Sequence, residues 1–156
     1  MKHTHLAKLI VCSLLTAFAV AGGLSSCGYE DDWYPVAPNG WNNTFYDRNL
    51  NGCWQLVQAN SMPVSRFDTN YLEFYGNGRG RYYYYDHGQP YSERIAYWCQ
   101  VSGLGTSRYQ ININYEYSSP VTMSYWFTAG NTLWLQWTTA SGPVTYLYRA
   151  VNGVNW

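Results

Sequence analysis

The chain has 156 residues, nine basic and nine acidic, and 19% of it is aromatic. With only 12% charged residues and no basic run, it carries no electrostatic footprint for nucleic acid or for anionic lipid. Its length suits one domain with a single core and excludes two.

Lys2 and Lys8 supply a positive start, residues 9–21 form an almost unbroken apolar run, and Gly22, Gly23, Ser25 and Ser26 lead to Cys27. The run is shorter than the ~20 residues needed to span a bilayer, and its small-residue flank is that of a cleaved signal. Leu24-Ser25-Ser26-Cys27 resembles the lipobox of bacterial lipoproteins. The resemblance implies that residues 1–26 are a signal peptide. It also implies that Cys27 becomes the first mature residue, carrying a diacylglyceryl thioether and an N-acyl group such as palmitate. One acyl chain holds a protein only marginally, whereas two or more anchor it stably, at about 0.8 kcal/mol per buried CH₂. The membrane would thus be held through lipid on Cys27, with no transmembrane helix required. Glu30-Asp31-Asp32 follows, and this cluster looks like the export tags of surface-exposed lipoproteins in some Gram-negative bacteria. The expected address is the outer membrane, facing the cell exterior; a solvated linker on the periplasmic side is the other reading.

Removing 26 residues from 156 leaves 130, and both lysines leave with them, so seven arginines face nine acids. Eight Trp, 17 Tyr and the four Phe other than Phe18 remain. Such rings favour strands and bring large apolar areas to bury, which points to an all-β domain. Cys12 leaves with the signal and Cys27 is taken by lipid, so Cys53 and Cys99 remain as a candidate disulfide in an oxidising compartment. Their strands are not neighbours, although both fall near one end of the expected fold, and a bridge needs Cα atoms within about 7 Å. Their pairing stays open.

Residues 27–51 contain Pro35, Pro38 and Gly40 among many Asn and Asp. The segment reads as the lipidated N-terminus and an irregular tether, with Trp33, Trp41 and Phe45 able to dock locally. From residue 52 the pattern changes. Tyr109, Ile111, Ile113 and Tyr115 alternate with polar residues, as do Val121, Met123, Tyr125 and Phe127, the signature of half-buried strands. Turn chemistry separates the runs, as at Gly76-Asn77-Gly78, Asp86-His87-Gly88, Gly130-Asn131 and Gly142-Pro143. Eight strands follow, near 52–59, 70–75, 79–85, 92–101, 108–116, 121–128, 132–138 and 144–151. Every link is short except 60–69. Eight antiparallel strands at this spacing predict an up-and-down meander barrel over 52–156, whose closure removes the exposed edges of so apolar a sheet.

Gly52-Cys53-Trp54 opens the first strand and Tyr148-Arg149 lies late in the last. Gly-x-Trp in that place resembles the signature of lipocalins. The run from Tyr71 to Gly80 and onward to Arg149 is similar to the lipocalin-like (calycin-type) domain of many small bacterial lipoproteins. The resemblance covers about residues 52–151 and implies that Gly52, Trp54 and Arg149 close one end of the barrel, with the guanidinium lying over the indole. The chain departs from larger lipocalins in its shorter barrel and in lacking a C-terminal helix and a second motif.

Catalytic chemistry finds little support. His87 is the mature chain's single histidine and lies in a turn beside Asp86, with no residue nominated as nucleophile. No three- or four-ligand metal set can be assembled, and no cofactor is expected. Glu73, Glu93 and Glu116 are expected on solvent-side positions as ordinary surface charge rather than as a glycosidase pair. Gly76, Gly78 and Gly80 belong to a hairpin with no helix after it, so they make no phosphate loop. The expected role is therefore binding, not catalysis. A small hydrophobic or aromatic ligand would sit in or at the mouth of the barrel, with Tyr82, Tyr84, Tyr97, Tyr125 and Trp137 as candidate contacts. The alternative is an external platform for a glycan or a partner protein, built from Tyr83, Tyr85, Trp126 or Trp134. Oligomeric state is left open.

Overall fold

The computed structural model describes residues 33–102 and 109–155. The signal segment, Cys27 and the acidic cluster at 30–32 lie outside the described residues. The described residues form nine strands: β1 (Gly52–Ala59), β2 (Met62–Pro63), β3 (Tyr71–Phe74), β4 (Arg79–Asp86), β5 (Gln89–Val101), β6 (Tyr109–Tyr115), β7 (Val121–Thr128), β8 (Thr132–Thr139) and β9 (Gly142–Val151). From β3 to β9 each strand pairs antiparallel with the next, and β1 lies between β3 and β9, closing the sheet on itself. The result is an eight-stranded up-and-down barrel. The long 60–69 connection holds the additional strand, the two-residue β2, which pairs with the end of β1 outside the closed sheet.

Period-two alternation decides what lies inside. Trp54 and Leu56, Leu72 and Phe74, Ile95, Tyr97 and Cys99, Ile111 and Ile113, Met123 and Tyr125, Leu133 and Leu135, and Tyr148 make one buried cluster. Apolar area removed from water stabilises by about 25 cal/mol per Å², so this interior is the fold's main driving force. The β4–β5 hairpin turns through His87 (φ 51°) and Gly88 (φ 76°), two consecutive left-handed residues whose twist matches that of the strands. β5 starts three residues earlier than the sequence suggests. It pairs with β4 from Gln89 but with β6 only from Ile95, so the hairpin tip overhangs one end of the barrel.

The opposite end is closed by residues 45–50, which the sequence reading placed in the tether. Phe45 exchanges backbone hydrogen bonds of 2.9 and 3.0 Å with Cys99, and its ring meets the Tyr109 ring edge-on at 5.8 Å. Tyr46 meets Tyr97 at 5.9 Å and fills the space a Cβ at Gly78 would need. Asp47 accepts from the Tyr125 hydroxyl at 2.9 Å. A 3₁₀ turn over Arg48–Leu50 then carries Leu50 into the core, where it is fully buried. Further out, Arg79 and Arg94 lie 5.7 and 5.3 Å from the Trp33 ring centre. The folded domain thus begins well before residue 52. Its anchors are spaced irregularly between polar residues, and such spacing gives no periodic signal.

Trp54 sits at this closed end as expected, but not under Arg149. In the β1–β9 register Trp54 faces Ala150, while Arg149 faces Gln55 and projects outward, exposed. The indole Nε1–H instead donates to the Leu50 carbonyl at 2.7 Å, and the ring packs on Phe127 at 5.8 Å. A one-residue step along a strand changes the face a side chain occupies, which is why the guanidinium cannot reach the ring. Gly52 pairs with Phe74 at the start of β1, with φ at 120°.

Cys53 and Cys99 are free thiols. Cys99 points into the core, whereas Cys53 lies on the outer face with Glu73 opposite, so no bridge can join them. Burial, and then the neighbouring Glu73 charge, pushes the Cys53 thiol up to about 11. Burial also raises that of Cys99. Both are protonated and unreactive at neutral pH.

Candidate functional site

At the open end the interior is not filled. A cavity of about 190 Å³ remains there, floored by Leu72, Met123 and Leu135. Tyr82, Tyr115, Tyr146 and Tyr148 wall it, and Asn70, Val121 and Trp137 stand around it. Each wall residue arrives by alternation: Tyr82 is in phase with Gly80 on β4, Tyr115 with Ile113 on β6, and Tyr146 with Tyr148 on β9. Aliphatic side chains and the rings of Trp54, Phe74, Tyr97 and Tyr125 fill the closed half, whereas near the mouth tyrosine rings line the wall and leave space between them.

The tyrosines give the cavity its polarity. The Tyr148 hydroxyl donates to Asn70 Oδ1 at 2.8 Å. The hydroxyls of Tyr82, Tyr115 and Tyr146 have no hydrogen-bond partner among the described residues. Among the described residues no buried side-chain oxygen lacks a partner, so these three reach accessible space. Burial pushes Tyr82 up to about 12 and also raises Tyr115 and Tyr148, with the Glu93 charge adding to the rise of Tyr82. All three are therefore neutral phenols that can donate a hydrogen bond.

A line of stacked rings leads out of the cavity. Tyr115 meets Tyr82 edge-on at 5.3 Å, Tyr82 stacks on Tyr84 at 5.2 Å, and Tyr84 on Tyr91 at 6.1 Å. Tyr82 and Tyr84 carry this line along the overhanging hairpin, opposite Glu93 and Tyr91 in register. Glu93 corrects the sequence reading: in phase with Ile95 and Tyr97, it turns inward and is 3% exposed. Its Oε2 accepts the Tyr117 backbone N–H at 2.8 Å. Burial, and secondarily the charge of Glu116, raises its carboxyl above the usual range despite that hydrogen bond. Glu73 and Glu116 do face outward; Glu116 receives Arg94 through both oxygens, at 2.8 and 3.1 Å.

Of the five candidate contacts, Tyr82 and Trp137 line the cavity and Tyr84 continues its wall outward. Tyr97 and Tyr125 do not. Both are fully buried at the closed end, where their hydroxyls serve the Tyr75 carbonyl (2.6 Å) and Asp47 (2.9 Å). They share a face with the cavity residues but lie at the other end of the strands, a distinction that alternation alone does not draw. Sequence reasoning missed Tyr115, Tyr146, Tyr148, Asn70 and Glu93. Phase with buried neighbours could have found all of these except Asn70, which lies just before β3.

Outside, the expected row of aromatics divides into separate places. Trp126 and Trp134 face each other across β7 and β8, stacked at 5.9 Å and nearly parallel. Tyr83 lies on β4 with its hydroxyl on Glu73 at 2.7 Å. At the hairpin tip His87 Nδ1 is 2.6 Å from Asp86, with both side chains largely exposed. Among the described residues no three His, Cys, Asp or Glu side chains gather as a metal set. Comparison with family models, with curated proteins and with solved structures returns no match for this chain.

Proposed function

We propose that the protein is an envelope lipoprotein whose barrel binds a small, ring-sized apolar or aromatic ligand at its open end, without catalysing a reaction. The observation that carries this reading is the tyrosine-walled cavity of about 190 Å³. Dry cavities of about 150 Å³ take up benzene, whereas drug-sized ligands need about 300 Å³ or more, so the space suits a single ring. Apolar walls with a few unpaired donors are the usual make-up of a small-molecule site. Anchorage through Cys27, display at the outer membrane and kinship with lipocalin-like lipoproteins rest on the residues described in the sequence. Native mass spectrometry of the protein extracted from its own membranes tests the reading. A small molecule of about one ring should accompany the intact protein and be absent from a Met123→Trp variant. If the unaltered protein, like the variant, is found only at its own unliganded mass, the reading is overturned.

A second reading rests on the stacked Trp126–Trp134 pair, a flat indole surface of the kind that packs on sugar rings. It predicts glycan retention lost in Trp126→Ala and untouched by Met123→Trp.

A further inference from the structure

Glu93 is an unusual residue to find in this position. A buried carboxylate is costly unless it is paired, yet no basic side chain faces it among the described residues. The arginines nearest in register, Arg81 and Arg94, are on the outer face, where Arg81 donates to Ser92 and Arg94 to Glu116. One oxygen of Glu93 accepts a single backbone N–H, from Tyr117. The other has no hydrogen-bond partner among the described residues, and since no buried side-chain oxygen is left unpartnered, it reaches accessible space. Around it stand the ring of Tyr82, its register partner, and those of Tyr84 and Tyr91, in stacked sequence down to Tyr115 in the cavity wall.

A carboxylate with no basic side chain facing it among the described residues, set beside tyrosine rings, is suited to a positive charge. The ring faces attract a cation by their quadrupoles, more strongly where water is excluded, and the carboxylate supplies a charge-assisted hydrogen bond. Neutral tyrosine hydroxyls add acceptors without adding a repelling charge. We propose that the mouth of the barrel selects a small organic cation: a ring-sized compound whose apolar part enters the cavity and whose protonated amine meets Glu93 between the tyrosines. This rests on the cavity reading above and narrows its ligand class.

The test compares benzylamine with benzyl alcohol, which match in size and differ in charge, by ligand-observed NMR titration of protein produced from the full chain. Benzylamine should bind tighter by roughly ten- to hundredfold, the range for a charged hydrogen bond. Glu93→Gln should remove most of that advantage, and a near-UV circular dichroism spectrum unchanged from that of the unaltered protein reports that the variant is folded. Equal affinity of the unaltered protein for the two compounds, or an amine affinity unchanged by Glu93→Gln, overturns the cation assignment and leaves the cavity reading standing. If neither compound binds, both fall.

Discussion

Trp54 and Arg149 are one register step apart, and that step reverses which of them the barrel depends on. Trp54 is buried, hydrogen-bonded to Leu50 and packed on Phe127, so Trp54→Ala should cost about 3–5 kcal/mol. Arg149 is exposed, and Arg149→Ala should stay within about 0.5 kcal/mol, as for other surface changes. Urea midpoints of the two variants check the contrast; comparable losses would mean that the guanidinium does close the barrel. The acidic pair at the β5–β6 corner makes a second prediction. Hydrogen bonds from Arg94 are the main reason the Glu116 carboxyl is held down at about 2. A depressed carboxyl contributes stability that is complete above its unfolded value near 4.3 and is lost as pH falls toward 2. Partial exposure screens the pair, so the loss should be about 1 kcal/mol. Glu93 acts with the opposite sign, because its carboxyl is raised: the native state holds that proton to higher pH, and stability falls as pH rises through this window. Glu116→Gln should therefore flatten the acid limb of a stability–pH curve, and Glu93→Gln should steepen it. Glu93 was expected at a solvent-side position of its strand, as ordinary surface charge. Its phase with Ile95 and Tyr97, equally visible in the sequence, was the better guide.

At the scale of elements, the strands were legible because their residues alternate and their turns carry Gly, Asn and Pro. All eight barrel strands lie within a few residues of where the pattern placed them. The 45–50 plug was not legible. Phe45 and Tyr46 meet β5, Asp47 meets β7 and Leu50 meets β1, and contacts scattered over different strands leave no period. β2 was hidden for a similar reason: two exposed residues, one of them Pro63, do not look like a strand. The plug should nonetheless be part of the cooperative unit. Leu50 is fully buried and its carbonyl takes the Trp54 indole proton, so Leu50→Ala should cost about 3 kcal/mol. Tyr125→Phe should cost about 1–2 kcal/mol by leaving Asp47 without its phenol donor. Denaturant unfolding followed by near-UV circular dichroism measures both. A Leu50→Ala midpoint equal to that of the unaltered protein would show that the segment is a passive tether.

For the whole molecule, closure of the sheet separates two tasks along one set of strands. Each inward stripe begins or ends among the residues packed by the plug and continues to the tyrosines of the mouth, so one alternating pattern builds both the core and the cavity wall. The sequence pattern identified the stripe but not the position along it where packing gives way to space. That position depends on how rings from eight strands meet, and no single strand records it. The division makes the final prediction. Val121 stands at the cavity and is only partly buried, so Val121→Phe should occupy much of the 190 Å³ without displacing the closed end. Stability should change by less than about 1.5 kcal/mol, since the added ring enters space rather than a packed core. Ring-sized ligands should lose at least about tenfold in affinity. Trp54→Ala should do the reverse, with a large fall in unfolding temperature and, well below that temperature, an unchanged dissociation constant. A saturating ligand, at about 100 times its dissociation constant, should stabilise the unaltered barrel by about 2.7 kcal/mol and Val121→Phe by no more than about 1.4 kcal/mol. Calorimetric scans of the three proteins with and without benzyl alcohol separate the two ends. A ligand that raises the unfolding temperature of Val121→Phe as much as that of the unaltered protein binds elsewhere, and the stacked indoles of Trp126 and Trp134 are then the first place to look.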